Sequence, residues 1–262
     1  RRHHAPSREN YVPGRCSEID ALMTKFISVT WSEDVTEHES DVLVSAIDRV
    51  LKWLYLRYPS ALVDPPIQAR VFGNWVIPAL LPDRRPYWGT QWYIDASYNG
   101  ELGRVITPTF LELVRQEPWQ KGDPHFDLAL LDRDLTDFPV ALARLRPAHY
   151  TLGNSLPGLA AVMSVHRLRR LADARGRDLA LRRLVHHHLA HILGVPSLVR
   201  GQEVARLGLE MHCTNLCAMR HAPTEEEWAA LALEEEKMGW PFCPRCTTEL
   251  HSVVLRYAQS WN

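Results

Sequence analysis

The chain has 262 residues, 46% of them apolar and 23% charged, with a formal net charge of −1 when histidines are neutral. That length can bury a sizeable core, as one large domain or two smaller ones, and the composition is that of an ordinary globular protein. The near-neutral balance gives no reason to expect a nucleic acid or an anionic membrane as partner, and no apolar run approaches the ~18 residues of a spanning helix.

The first stretch, RRHHAPSRENYVPGRC, carries basic residues with no apolar run behind them. No secretory signal is read there, residues 1–15 are expected to be a loose leader, and a cytoplasmic protein is expected. The start on Arg1 rather than Met points to a chain that begins inside a longer gene product. Residues 16–90 read as a helical, Pro- and Trp-rich region packed on the core of a main domain, 91–262. Within the former, Val42, Leu43, Ala46, Ile47, Val50, Leu51 and Leu54 recur at helical spacing, so an amphipathic helix is expected over 36–58, stopped by Pro59. ARVFGNWVI contains a short strand-like piece. Thr107-Pro108 caps a helix that runs to about Gln116.

FDLALLDRDL (126–135) and LAAVMSVHRL (159–168) read as buried strands. After a break at Gly176, RDLALRRLVHHHLAHIL reads as a helix ending at Gly194. Thr224 and Glu227 form a capping box for a helix to about Met238, and a last helix closes the chain. The alternation gives an α/β or α+β class. Residues 166–183 carry seven arginines against two aspartates. With no aromatics interleaved for stacking, they read as a solvated helix face rather than an acidic partner's dock.

Two clusters carry chemistry. His187 and His191 stand four apart, so on a helix both imidazoles face one way and can meet one Zn²⁺. A histidine downstream would complete the set, either His212 or His221, while Ser197 stands where the third histidine of an uninterrupted H-x-x-G-x-x-H would fall. The second cluster is Cys213, Cys217, Cys243 and Cys246, the spacing of a closed tetrahedral structural zinc with the capped helix between its halves. Cys16, alone, is expected to be a bland thiol.

H187-x3-H191-x2-G194, then H212-C213…C217-x-M219, then C243-x-x-C246, resembles the archaemetzincins, whose pattern is HExxHxxGxxH-C-x4-C-x-M followed by CxxC. The resemblance covers roughly residues 90–255. It implies a metzincin-like fold with a mixed sheet and a zinc helix, His187, His191 and His212 on a catalytic zinc, and the four cysteines on a second, structural zinc. Met219 would be the methionine of the Met-turn, and a peptide or small amide the substrate. The chain departs from the pattern in three places. His188 stands where the catalytic glutamate belongs, 17 residues separate Gly194 from His212 where the pattern has two, and the first cysteine pair has three intervening residues rather than four. The segment PSLVRGQEVARLGLEM must therefore loop out for His212 to reach the metal.

Replacing the glutamate removes a charge worth about 4 kcal/mol against a unit charge at ~4 Å in an effective dielectric near 20. Three residues are candidates for the proton acceptor it supplied: His188 itself, as a neutral imidazole, and Glu210 and Glu203 in the insertion. His188 could instead be a further metal ligand. The sequence thus points to a zinc-dependent hydrolase of peptidase or amidase type with an atypical base. The alternatives are a catalytically silent scaffold that binds a peptide or protein, and a biosynthetic enzyme that uses zinc as a Lewis acid.

Overall fold

A computed structural model of the chain describes residues 25–74 and 89–258. The expected leader, Cys16 and most of the Pro/Trp-rich stretch lie outside the described residues. The first described element is strand β1 (Lys25–Trp31), followed by helix α1 (Glu37–Tyr55), helix α2 (Pro59–Val63) and strand β2 (Ile67–Gly73). β2 lies parallel beside β1, with Ile67 opposite Lys25 and Val71 opposite Val29. Thr36 caps α1 in a complete box with Glu39, and the apolar stripe from Val42 to Leu54 is buried as expected.

The chain continues through helix α3 (Thr90–Ser97), strands β3 (Tyr98–Asn99) and β4 (Arg104–Ile106), and helices α4 (Thr107–Gln116) and α5 (Pro118–Gly122). Strand β5 (Phe126–Leu131), strand β6 (Leu135–Thr136) and helix α6 (Val140–Leu145) follow. Strands β7 (Gly153–Leu156) and β8 (Ala160–Ser164) then lead to helix α7 (Ala174–Ile192). Strands β9 (Val204–Leu207) and β10 (Glu210–Cys213) and helices α8 (Glu225–Met238) and α9 (Pro244–Ala258) complete it. The main sheet runs β2-β1-β5-β8-β7, parallel except for β7, which is antiparallel and forms one edge. The fold is thus α/β with a mixed sheet. The expected division near residue 90 does not coincide with a break in that sheet, because β1 and β2 lie in it and β1 hydrogen-bonds to β5.

Both faces of the sheet are covered, and period-2 alternation sorts its side chains between them. Leu128, Leu130, Ala161 and Met163 face a core shared with α1 and α7. Ala129, Leu131, Ala160 and Val162 face a second core under Tyr93, Phe110 and Leu111 of α3 and α4. Double coverage explains why FDLALL is an almost unbroken apolar run.

Helix α7 is the centre of the first layer, packed by β7, β8, α1 and α8 together. It begins earlier than the sequence suggests, since Asp173 caps it by accepting from Gly176 N–H, so Gly176 lies in the first turn instead of breaking the helix. Its end is as expected. Gly194 takes φ +79° and donates to His191 O at 2.8 Å, while Val195 donates to Ala190 O at 2.8 Å. That pair of bonds is a Schellman stop, which needs a residue able to adopt positive φ. Of the expected box at α8, the structure shows the Thr224 hydroxyl accepting from Glu227 N–H.

The arginine-rich run is not simply a solvated face. Arg183 is 1% exposed and ion-paired to Glu235, Arg167 bridges to Asp134, and Arg169 pairs with Glu39.

Candidate metal centre

Successive residues of a helix point about 100° apart, so His186, His187 and His188 leave α7 in three directions. His186 turns toward Phe242, 6.2 Å between ring centroids. His187 turns toward the segment after β10, where its Nδ1 donates to Ala218 O at 2.7 Å. A carbonyl can only accept, so that bond fixes the proton on Nδ1 and leaves Nε2 with a free lone pair. His191, one turn on, brings its Nε2 to 3.1 Å from His187 Nε2.

That pair alone could be one imidazole donating to the other. The third histidine argues for a metal. His212 is carried in by β10, and ligand nitrogens of His187, His191 and His212 all lie within 4.8 Å of one another. His212 Nδ1 is moreover buried without a hydrogen-bond partner. Burial pushes His191 down to about 3 and His187 well below its ordinary value, aided by the neighbouring imidazoles. Both are therefore neutral, the form that binds a cation. Three converging imidazole nitrogens with an open side are the donor set of a catalytic zinc site.

The insertion between Gly194 and His212 does loop out, as a hairpin. β9 and β10 pair antiparallel across a turn at Gly208-Leu209, with His212 opposite Ala205 and Glu210 opposite Leu207. Glu210 and His212 are two apart on one strand and so face the same way. The Glu210 carboxylate stands 3.5 Å from His212 Nε2, and its other oxygen is buried without a partner. Burial raises the Glu210 carboxyl, while the imidazoles it faces, His191 first and then His212 and His188, draw it down to about 2 when they carry a proton.

His188 is directed elsewhere. Its Nδ1 is hydrogen-bonded to Ser155 Oγ at 2.7 Å, and its Nε2 rests against Gly153, where a Cβ would come within 2.2 Å. It is not among the converging nitrogens, and burial pushes it down to about 4. Glu203 is also elsewhere: it is exposed, pairs with Arg200 at 3.4 Å and does not line the cleft. His221 lines the cleft with its ring 5.2 Å from that of His212, outside the converging set. Ser197 donates its backbone N–H to Glu249. Met219 is fully buried, and its carbonyl accepts from Cys213 N–H at 2.9 Å.

The histidine group opens on a cleft of about 670 Å³. One wall is β7, from Gly153 to Leu156, and the other includes the hairpin tip, Leu207 to Glu210. His187, His188 and His212 line its floor with Trp228, and no lysine or arginine lines it among the described residues.

Behind this floor, Cys213, Cys217, Cys243 and Cys246 bring their sulfurs within 4.8 Å of one another, all buried and none in a disulfide. Four thiols in that arrangement fit a closed tetrahedral zinc, and none of them lines the cleft. The two groups share a segment, since His212 adjoins Cys213, and Cys217 adjoins Ala218, whose carbonyl orients His187.

Sequence reasoning missed the residue that clamps this segment. Arg183 lies across the Trp228 ring, 4.0 Å to its centroid, and donates to Cys217 O and Arg220 O. An arginine on the same face as Leu179, Ala180 and His187 of α7 was the available signal, masked by Arg175, Arg177 and Arg182 around it.

These elements allow comparison with known proteins. No family model matches the sequence, and no curated protein matches it. Among solved structures, the chain is similar to the crystal structure of an archaemetzincin from Methanopyrus kandleri, with a TM-score of 0.52 over 88% of this chain and 96% of that one. The fold is archaemetzincin-like. Sequence identity is 18%, so the likeness speaks for the fold. Coverage of 88% is more than residues beyond 90 can supply, so the archaemetzincin-like fold takes in part of the N-terminal third, which the sequence motifs did not reach.

Proposed function

We propose that the protein is a zinc-dependent hydrolase of peptides or related amides, with Glu210 in place of the glutamate that His188 displaces. The observation that carries this is the Glu210 carboxylate on the cleft wall, 3.5 Å from His212 Nε2 and with its other oxygen buried and unpartnered. His187, His191 and His212 would hold one zinc, and the four cysteines a second, structural one. A zinc ion in the histidine group would supply Lewis acidity and lower the pKa of water bound there.

The chain's own residues supply the rest. β7 is an end strand whose outer edge faces the cleft, and an extended peptide can add to such an edge through main-chain hydrogen bonds. That favours a peptide over a compact substrate. Glu210 Oε1, lacking any other partner, accepts the proton of the attacking water and returns it to the departing amine. His188, neutral and tied to Ser155, shapes the wall beside Gly153. Met219 is buried behind the cleft lining, its carbonyl accepting from Cys213 N–H.

A second reading rests on one observation. His188 Nδ1 is tied to Ser155 Oγ of β7 and its ring lies close against Gly153, as a peptide-binding scaffold without chemistry would allow. Turnover of a peptide library by the wild type, Glu210→Gln and His188→Ala separates the two. The hydrolase reading expects Glu210→Gln to lower kcat by roughly 10²-fold or more, with a smaller loss for His188→Ala. Peptide binding without turnover in the zinc-loaded wild type would replace it with the scaffold reading.

A further inference from the structure

The insertion that carries Glu210 and His212 meets the cysteine group at both ends, through Cys213 where β10 ends and through the side chain of Arg200 where the insertion enters β9. Arg200 is only 2% exposed at its side chain, although it lies in an irregular loop with Val199 almost wholly exposed beside it. Its guanidinium places Nη1 3.2 Å from Cys246 Sγ and Nη2 3.5 Å from Cys213 Sγ. The remaining donors turn back into the insertion, Nε to Gln202 O at 2.9 Å and Nη2 to Glu203 O at 3.3 Å. Glu249 of α9 stands 3.7 Å away and accepts from Ser197 N–H at the start of the same loop.

These contacts set the entry to the hairpin. Glu203 has φ +56°, a conformation a non-glycine residue adopts only when its surroundings impose it. The surroundings here are its own carbonyl's two partners, Arg200 and Thr214 N–H at 3.0 Å. β9 starts at the next residue, and the register that places Ala205 opposite His212 and Leu207 opposite Glu210 follows from where it starts. Charge points the same way. Four thiolates around a divalent cation carry a net −2, and Arg200 is a buried guanidinium that touches two of them. Its fork geometry lets one side chain serve the sulfurs and the backbone carbonyls together, which a lysine could not do.

We propose that Arg200 is a positioning residue that couples the two metal centres: it uses the loaded cysteine centre as the anchor for the hairpin, and thereby holds His212 and Glu210 in place at the histidine centre. This rests on the two-site zinc reading above. It adds a direction, in that filling the cysteine centre prepares the histidine centre.

The test uses the full chain loaded with Co²⁺ or Zn²⁺. Cobalt on thiolates is read by its charge-transfer absorption and cobalt on the histidine group by its ligand-field bands, so the two centres are followed separately. In Arg200→Met and Arg200→Lys the thiolate signal is expected to persist. The histidine-site affinity is expected to fall roughly 10-fold or more in the methionine variant, and by less with lysine. Trypsin cleavage after Arg206, in β9, is expected to accelerate in both. Histidine-site affinity within about twofold of wild type, with Arg206 equally protected, would overturn the coupling while leaving the two-site reading intact. Loss confined to the thiolate signal would overturn it too, reducing Arg200 to a charge partner of the sulfurs. If Arg200→Met does not fold, Arg200→Lys carries both readouts, and the same outcomes support or overturn the coupling. A wild-type chain that binds fewer than two ions overturns the metal reading and the coupling with it.

Discussion

The two candidate metal centres share residues 212–219 and differ in almost everything else. The cysteine centre is sealed: its four sulfurs are buried, and they come from the end of strand β10, the loop after it and the start of α9. The histidine centre lies on a long helix already packed on all sides, yet opens on a cleft with an edge strand along its wall. The difference separates two uses of the same kind of ion. A metal at the first centre would supply folding free energy, whereas at the second the fold already builds the site.

That contrast can be tested from both sides. The largest effect is expected from Cys217→Ser or from stripping the cysteine centre with a chelator. Structural zinc binding is worth on the order of 10–16 kcal/mol in small domains, so the region from Arg200 through α9 should lose its cooperative melt. A thermal melt unchanged by chelation would erase the distinction. Next is Arg183→Ala, which leaves Glu235 buried without its partner and frees the Cys217 and Arg220 carbonyls. Denaturant unfolding should show a loss of about 3–5 kcal/mol.

The paired substitution His187→Ala with His191→Ala should cost one zinc per chain and all turnover, while the fold persists with the other zinc. Elemental analysis together with circular dichroism checks it, and retention of both ions would sink the histidine assignment.

Gly153→Ala tests the wall of the open centre. The added Cβ meets His188 Nε2, so a loss of about 1–3 kcal/mol is expected. His188→Ala in the same chain should recover part of it, giving a non-additive double-mutant cycle.

The smallest effect concerns the cleft rim, where Arg167 lies over the Tyr150 ring and bridges to Asp134. Burial alone would raise the Asp134 carboxyl, but Arg167 and Arg104 outweigh it and hold it below its ordinary value. A depressed carboxyl stabilises the fold above its unfolded value, near pH 4, and that contribution is lost as pH falls through the folded value. Asp134→Asn should therefore cost on the order of 1 kcal/mol at pH 7, with the gap to wild type closing below about pH 4.

Whatever depends on neighbours in the chain was legible in the sequence. The i, i+4 spacing placed His187 and His191 on one face, Gly194 stopped their helix, and the cysteine spacing declared a four-sulfur group. The apolar stripe gave α1 and the continuous apolar run gave β5. Whatever depends on residues far apart was left to the packing of the fold. Strand β1, KFISVTW, escaped notice because serine and threonine interrupt its apolar pattern, and only pairing with β2 and β5 makes it a strand. That His212 rather than His221 joins the converging nitrogens, and that Glu210 rather than Glu203 faces them, depends on the register of a hairpin inside an insertion. The fate of His188 was settled by Ser155, 33 residues away, and by the missing Cβ of Gly153. Arg183 and Arg200 became clamps through partners up to 52 residues distant. Spacing fixes the direction a side chain leaves its own element, but which partner it meets depends on how separate elements pack.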